Sequence, residues 1–301
     1  SVLIGLFVIG SLTIPGFLTL LNMKSMLIFA AFLEENDIVL APGPHYPPYM
    51  AYPQMYGAKT VEYRLKSSEE WKIDLDDISD KMNDSVKLLV LINPNNPTGT
   101  YLTKNELNEF ILKLPKRILL VIDAAYAEYV TKKDYSSGKD LVKRNNNVIM
   151  TRTFSKIYGL AGLRLGWAYG PKYVVDIFNK VRLPFNINMA AMEAGIVALN
   201  DKNFYIKSVK HNIYYLNWLT KEIIKLGLIP IPSVANFILV KFPSMGKFSA
   251  NNVNNYLLSK GIILRRVDSY GLKDFLRISI GKKNELIKLI KYLKIYFKKN
   301  L

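Results

Sequence analysis

Thr153-Phe154-Ser155-Lys156, followed shortly by Arg164 and Gly166, puts two hydroxyls, a lysine and an arginine on a segment otherwise made of glycine, alanine, leucine and aromatic residues. Burial among apolar groups disfavours an ammonium ion, so such a lysine can lose its proton near neutral pH. The neutral amine is a nucleophile and forms a Schiff base with an aldehyde. Hydroxyls and a guanidinium beside it suit a phosphate dianion. The same residues also fit a plainer role, a lysine whose stem lies along an apolar helix end with its ammonium in water. What the rest of the chain offers decides between the two.

Working outward, the segment lies between two apolar runs, Val148-Ile149-Met150 and Leu165-Gly-Trp-Ala-Tyr169. Upstream come Asp37-Ile-Val-Leu-Ala-Pro42, Lys87-Leu-Leu-Val-Leu-Ile92 and Arg117-Ile-Leu-Leu-Val-Ile122. Continuous apolar runs bounded by polar residues are the pattern of strands covered on both faces. Helical patterns separate them, notably Lys104 to Leu114, with Thr103 as N-cap and Glu106 completing a capping box. This alternation predicts an α/β domain over residues 35–185, a mainly parallel sheet with flanking helices. Beyond Pro184 the texture changes. Helices are expected over Asn188 to Leu199 and Asn203 to Leu226, the latter ended by Gly227. Strand signals follow at Asn236 to Lys241, Gly261 to Arg265 and Leu276 to Ile280, with helices over Asn251 to Ser259 and Glu285 to Phe297. Residues 186–301 thus read as connecting helices and a smaller C-terminal α+β domain.

With 301 residues, half of them hydrophobic, the chain can bury a large core. The absence of cysteine rules out disulfides and thiolate metal sites. Two histidines, His45 and His211, make a histidine-rich metal site a poor expectation, and no metal is expected. The net charge of +17 raises the question of nucleic acid. The basic residues, however, are dispersed in pairs such as Lys132-Lys133, Lys282-Lys283 and Lys298-Lys299 rather than gathered in a stripe, so no nucleic-acid partner is expected. Residues 1–34 are anomalous. Ser1 to Met23 is uncharged and long enough to span a bilayer, but Gly5, Gly10, Pro15 and Gly16 interrupt it and no basic segment precedes it. A truncated or altered element of the fold is the preferred expectation over a membrane anchor.

The polar signals sit where strands end, the edge of an open parallel sheet where ligands bind. Asn93-Pro-Asn-Asn96-Pro97-Thr98-Gly99 follows one strand, its prolines stiffening the turn that holds Asn96. Asp123 closes the next strand, with Tyr126 in the following turn. The Lys156 segment follows the third. Taken singly, the asparagine segment suits a turn, Asp123 a helix cap and Arg164 a surface ion pair. Their joint spacing is much harder to obtain by accident.

Together these segments resemble the class I/II aminotransferases of the pyridoxal-phosphate fold-type-I family. From Asn93 to about Gly281 the chain looks closest to the histidinol-phosphate aminotransferases. Asn93-Pro-Asn-Asn-Pro-Thr-Gly-Thr100, Val121-Ile-Asp-Ala-Ala-Tyr-Ala-Glu-Tyr129, Thr151 to Gly166, Pro232-Ser-Val-Ala-Asn-Phe237 and Leu276-Arg-Ile-Ser-Ile-Gly281 carry the likeness. The resemblance implies pyridoxal 5'-phosphate as cofactor, held by Lys156 through a Schiff base. It implies Asp123 at the pyridinium nitrogen, Asn96 and Tyr126 at the ring's phenolic oxygen, and Tyr46 stacked on the ring. Thr153, Ser155 and Arg164 would bind the cofactor phosphate. Arg277 would grip the α-carboxylate of the amino-acid co-substrate, and Arg265 would lie near the charged end of the other substrate.

The implied reaction moves an amino group from L-histidinol phosphate to 2-oxoglutarate in a cytoplasmic homodimer. Aromatic, alanine or aspartate transamination, or a non-catalytic paralogue, are the alternatives. Pro47-Pro48-Tyr49 and Tyr52 read more like alanine- or aspartate-type members. The family's Gly-Ser/Ala-Asp-Glu turn, which helps bind the cofactor phosphate, has no counterpart at Leu20-Leu-Asn-Met23. Its N-terminal arm is also missing, so residues 1–26 are expected to be truncated or replaced.

Overall fold

The apolar runs become the centre of an eight-stranded sheet. The computed structural model describes residues 17–21, 24–44 and 46–299. The strands are β1 (Phe17–Leu21), β2 (Ile38–Gly43), β3 (Lys59–Lys66), β4 (Lys72–Ile73), β5 (Val86–Ile92), β6 (Leu119–Asp123), β7 (Val148–Thr153) and β8 (Leu165–Tyr169), in the order β1-β8-β7-β6-β5-β2-β3-β4. Strands β3, β2, β5, β6 and β7 run parallel; β8 is antiparallel to β7, and β1 to β8. Of the anomalous first residues, Phe17–Leu21 is therefore an edge strand of this sheet, and Lys24–Phe32 is a helix. The rest of Ser1 to Met23 lies outside the described residues.

Side chains alternate across a strand, so each apolar run feeds two cores. Leu89, Leu91, Leu120, Ile122, Val148 and Met150 meet Leu107, Phe110 and Ile111 of helix Lys104–Lys113 on one face. Leu88, Val90, Ile92, Leu119, Val121 and Ile149 meet Ile28 and Phe29 of the first helix and Val174, Val175 and Phe178 of helix Lys172–Val181 on the other. A run buried on both faces has no polar side, which is why these strands read as continuous hydrophobic stretches. The capping box of the Lys104 helix forms as expected, with Thr103 Oγ1 accepting from the Glu106 amide and Glu106 accepting from the Thr103 amide.

A second sheet, in the order β11-β12-β10-β9, is antiparallel throughout: β9 (Ile229–Ile231), β10 (Phe237–Lys241), β11 (Arg265–Arg266) and β12 (Phe275–Ser279). Helices Lys202–Ile224, Ala250–Ser259 and Lys283–Lys299 pack Leu219, Val253, Leu257, Leu289 and Leu293 against Ile238, Val240, Leu276 and Ile278. The strand expected over Gly261 to Arg265 shrinks to Arg265–Arg266. Gly261, at φ +69°, turns the chain out of the preceding helix, and Ile262 donates back to the Leu257 carbonyl, so this stretch closes a helix end before it can join a ladder.

Candidate active site

Three adjacent strands, β5, β6 and β7, end side by side because they are parallel and in near register, Ile92 opposite Asp123 and Asp123 opposite Thr151. Their ends open into a cavity of about 370 Å³. Tyr46, Asn96, Asp123, Tyr126, Thr153, Ser155, Lys156 and Arg164 all line it. Residues from the three strand ends, joined by Tyr46 from the segment after β2, thus share one cavity.

The floor is Asp123, buried at 7% exposure. Its Oδ2 accepts a 2.6 Å hydrogen bond from the hydroxyl of Tyr49, and Thr151 Oγ1 lies 3.4 Å from Oδ1. Tyr49 is itself buried, on the short helix Pro48–Gln54, and the sequence reading gave it no place in the site. Its only signal was an aromatic residue close to Tyr46. Tyr46 stands edge-on to Tyr49 at 6.1 Å and remains 44% exposed at the mouth.

Lys156 Nζ sits 5.2 Å from the centre of the Tyr126 ring. Burial, and next the guanidinium of Arg277, hold the Lys156 ammonium below its ordinary value, while Asp123 pulls the other way. Burial pushes the Tyr126 phenol up to about 12, so it stays a donor at any physiological pH. Thr153 and Ser155 bond to each other, Thr153 Oγ1 to Ser155 Oγ at 2.9 Å, and Thr153 Oγ1 also accepts from the Ser155 amide. Arg164 adopts a left-handed conformation, φ +59°, in the tight link to β8, and its Nη1 donates to the Ala161 carbonyl.

The two substrate arginines are placed differently. Arg277, on β12 of the second sheet, is not on the cavity wall, but its Nη1 donates to Oδ1 of Asn96, which is. Its guanidinium lies 4.7 Å over Phe237, and its Nε is buried without a hydrogen-bond partner among the described residues. Arg265 is exposed, opposite Arg277 in the β11–β12 register, and reaches Tyr270 at 3.4 Å; it is outside the cavity. Of the expected phosphate turn, Leu20 and Leu21 lie in β1, opposite Gly166 and Leu165; Asn22 and Met23 are outside the described residues. Among the described residues no helix is long and apolar enough to cross a membrane, and no group of acidic and histidine side chains is placed to hold a metal ion.

The donor set fits a phosphorylated aldehyde. A half-buried amine whose charged form is disfavoured, a buried carboxylate, and two hydroxyls with a guanidinium share one cavity. The sequence profile of the family "Aminotransferase class I and II" matches residues 20–293, and the chain belongs to that family. Within it, the chain is 44% identical to the histidinol-phosphate aminotransferase of Pelagibacter ubique and 42% identical to that of Maricaulis maris, each alignment covering 90% of this chain and 74% of the relative. The crystal structure of histidinol-phosphate aminotransferase from Sinorhizobium meliloti in complex with pyridoxal-5'-phosphate superposes with a TM-score of 0.85 at 25% identity, over 95% of this chain and 77% of that one.

Proposed function

We propose that the chain transfers the amino group of L-histidinol phosphate to 2-oxoglutarate, giving imidazole acetol phosphate and L-glutamate, with pyridoxal 5'-phosphate held in the cavity. The observation that carries this reading is Lys156, an amine destabilised in its charged form and sharing a cavity with Asp123 and the Thr153, Ser155 and Arg164 donors. Its substrate is supported by the names of the relatives at 42–44% identity.

When bound, the cofactor supplies an electron sink for the carbanion formed at the substrate carbon. The chain's own residues do the rest. Lys156 Nζ would hold the cofactor's aldehyde carbon and would serve as the base and acid that moves the proton at the donor's Cα. The Asp123 carboxylate, oriented by the Tyr49 hydroxyl, would hold a proton at the cofactor's ring nitrogen. Tyr126 and the Asn96 amide would donate to the phenolic oxygen, Tyr46 would cover the ring, and Thr153, Ser155 and Arg164 would bind the phosphate. Arg277 receives the carboxylate of the amino-acid co-substrate, and its unpaired, buried Nε supports that role. Arg265 is proposed for the phosphate end of histidinol phosphate.

Borohydride reduction of the protein after incubation with pyridoxal phosphate should place a pyridoxyl mass on Lys156 alone; an unlabelled Lys156 sinks the cofactor assignment. In a half-reaction, histidinol phosphate should bleach the visible band of the loaded protein. Bleaching by alanine, aspartate or phenylalanine but not by histidinol phosphate would move the enzyme to another branch of the family.

A homodimer is part of this proposal. Leu183, Phe185 and Met189 are 74%, 98% and 77% exposed, an apolar surface of the kind a second subunit covers. Sedimentation should give a dimer, and a monomer at working concentration would refute it. A cytoplasmic location completes the reading and is checked by cell fractionation.

A further inference from the structure

We propose that the ion pair Glu128–Arg152 is a positioning brace, holding the turn that follows Asp123 and carries Tyr126 against the strand that leads into Lys156. The proposal rests on the reading of the cavity as a pyridoxal phosphate site. Arg152 lies between Thr151 and Thr153 on β7. Thr151 faces Asp123 and Thr153 lines the cavity, so alternation sends Arg152 to the opposite face of the sheet. There its Nε is 3.1 Å from Oε1 of Glu128, with side-chain exposures of 18% and 6%. Glu128 belongs to the tight turn Ala127–Tyr129, directly after Tyr126. The pair therefore ties two chain segments that each place residues on the cavity wall, and it does so from behind.

The surroundings keep this brace fixed. The guanidinium lies 5.7 Å from the centre of the Trp167 ring on β8. The Tyr205 hydroxyl, on the long helix Lys202–Ile224, donates to the Glu128 carbonyl at 3.2 Å. Neither charge lines the cavity. The Nε–Oε1 approach is an ion pair without hydrogen-bond geometry; it adds little net stability over apolar packing of the same volume, but removing one partner leaves the other charge sheltered from water. Fixed placement is what the site needs: Lys156 and Asp123 would have to meet the same cofactor together, and an error of about 1 Å can cost on the order of 100-fold in rate.

The test compares Arg152→Met, Glu128→Gln, the double variant and Arg152→Lys with the wild-type holoenzyme. Thermal melting, the dissociation constant for pyridoxal phosphate, the circular dichroism of the bound cofactor's visible band, and kcat and KM are measured. Each single neutral variant should melt lower, because one sheltered charge loses its partner. The double variant should regain the melting temperature yet keep an altered dichroic band and a kcat lowered roughly 10- to 100-fold, with KM for the amino donor little changed. Arg152→Lys should recover part of both. A double variant with wild-type dichroism, cofactor affinity and kcat overturns the brace. Should the neutral variants not fold, a wild-type dichroic band and kcat in Arg152→Lys overturn it equally. If the wild-type protein takes up no pyridoxal phosphate, the reading of the cavity itself has failed; if it loads and the double variant keeps wild-type dichroism, cofactor affinity and kcat, only the brace has.

Discussion

At the scale of single residues, the site is a set of compromises between burial and charge. Lys156 illustrates the sign. Burial lowers its folded-state value, so the unfolded chain binds the proton more tightly than the folded one. Its charge therefore costs stability, fully so below the folded value and not at all above the ordinary lysine value. Lys156→Met is expected to raise the melting temperature of the cofactor-free protein at neutral pH. The gain should shrink as pH climbs toward 10.5, the ordinary value of the group. Melting curves of both proteins across pH check this, and a gain that grows with pH would contradict it. Tyr49 is the opposite case, a neutral group that stabilises a buried charge. Tyr49→Phe removes the 2.6 Å hydrogen bond to Asp123 and should cost about 1.5–3 kcal/mol, the range for hydrogen bonds to charged groups. Urea denaturation of the cofactor-free variant measures it.

At the scale of elements, the decisive contact is between the Asn96 turn and the loop before β10. Gly99 has φ +80°, and a Cβ there would stand 2.1 Å from Ser233 Oγ. That hydroxyl is committed, donating to the Phe237 carbonyl and accepting from the Ala235 amide, while the Val234 amide donates to the Gly99 carbonyl. Gly99→Ala is therefore expected to lower stability by about 1–3 kcal/mol from the backbone alone, more with the clash, seen as a lower urea midpoint at unchanged slope. It should also weaken cofactor binding, since Asn96 is in the same turn.

Elements differ in how plainly the sequence marks them. The buried strands β5 and β6 and the capped helix after Thr103 were legible because burial on both faces and capping chemistry leave local marks. Strand β3, Lys59–Lys66, was missed: its Lys, Glu and Arg residues face water while Tyr63 and Leu65 enter the core, and charges at that density hide the alternation. The strand expected at Gly261 failed for the converse reason, apolar residues used to close a helix rather than to extend a sheet.

At the scale of the molecule, the cavity couples ligand binding to the stability of the whole fold. A cofactor that binds only the folded state adds about 2.7 kcal/mol at a free concentration of about 100 times its dissociation constant. Pyridoxal phosphate should raise the melting temperature accordingly, and pyridoxal without its phosphate should raise it far less if Thr153, Ser155 and Arg164 bind the phosphate. Equal shifts from the two compounds would remove those three residues from that role. The second sheet contributes to the same site at a distance: Arg277 reaches Asn96 from β12, so motion of one sheet against the other would open or close that link.

By itself, the sequence determined the chemistry and its address. Lysine, carboxylate, amide and hydroxyls each followed an apolar run, and parallel strands buried on both faces must end along one edge. Tertiary structure alone decided which partners those groups found. The adjacency of β5, β6 and β7, the Tyr49 hydroxyl on Asp123, the Glu128–Arg152 pair behind the wall, the reach of Arg277 to Asn96 and the position of Arg265 outside the cavity are long-range contacts. Local pattern records whether a residue is buried; which residue it is buried against depends on how the elements pack.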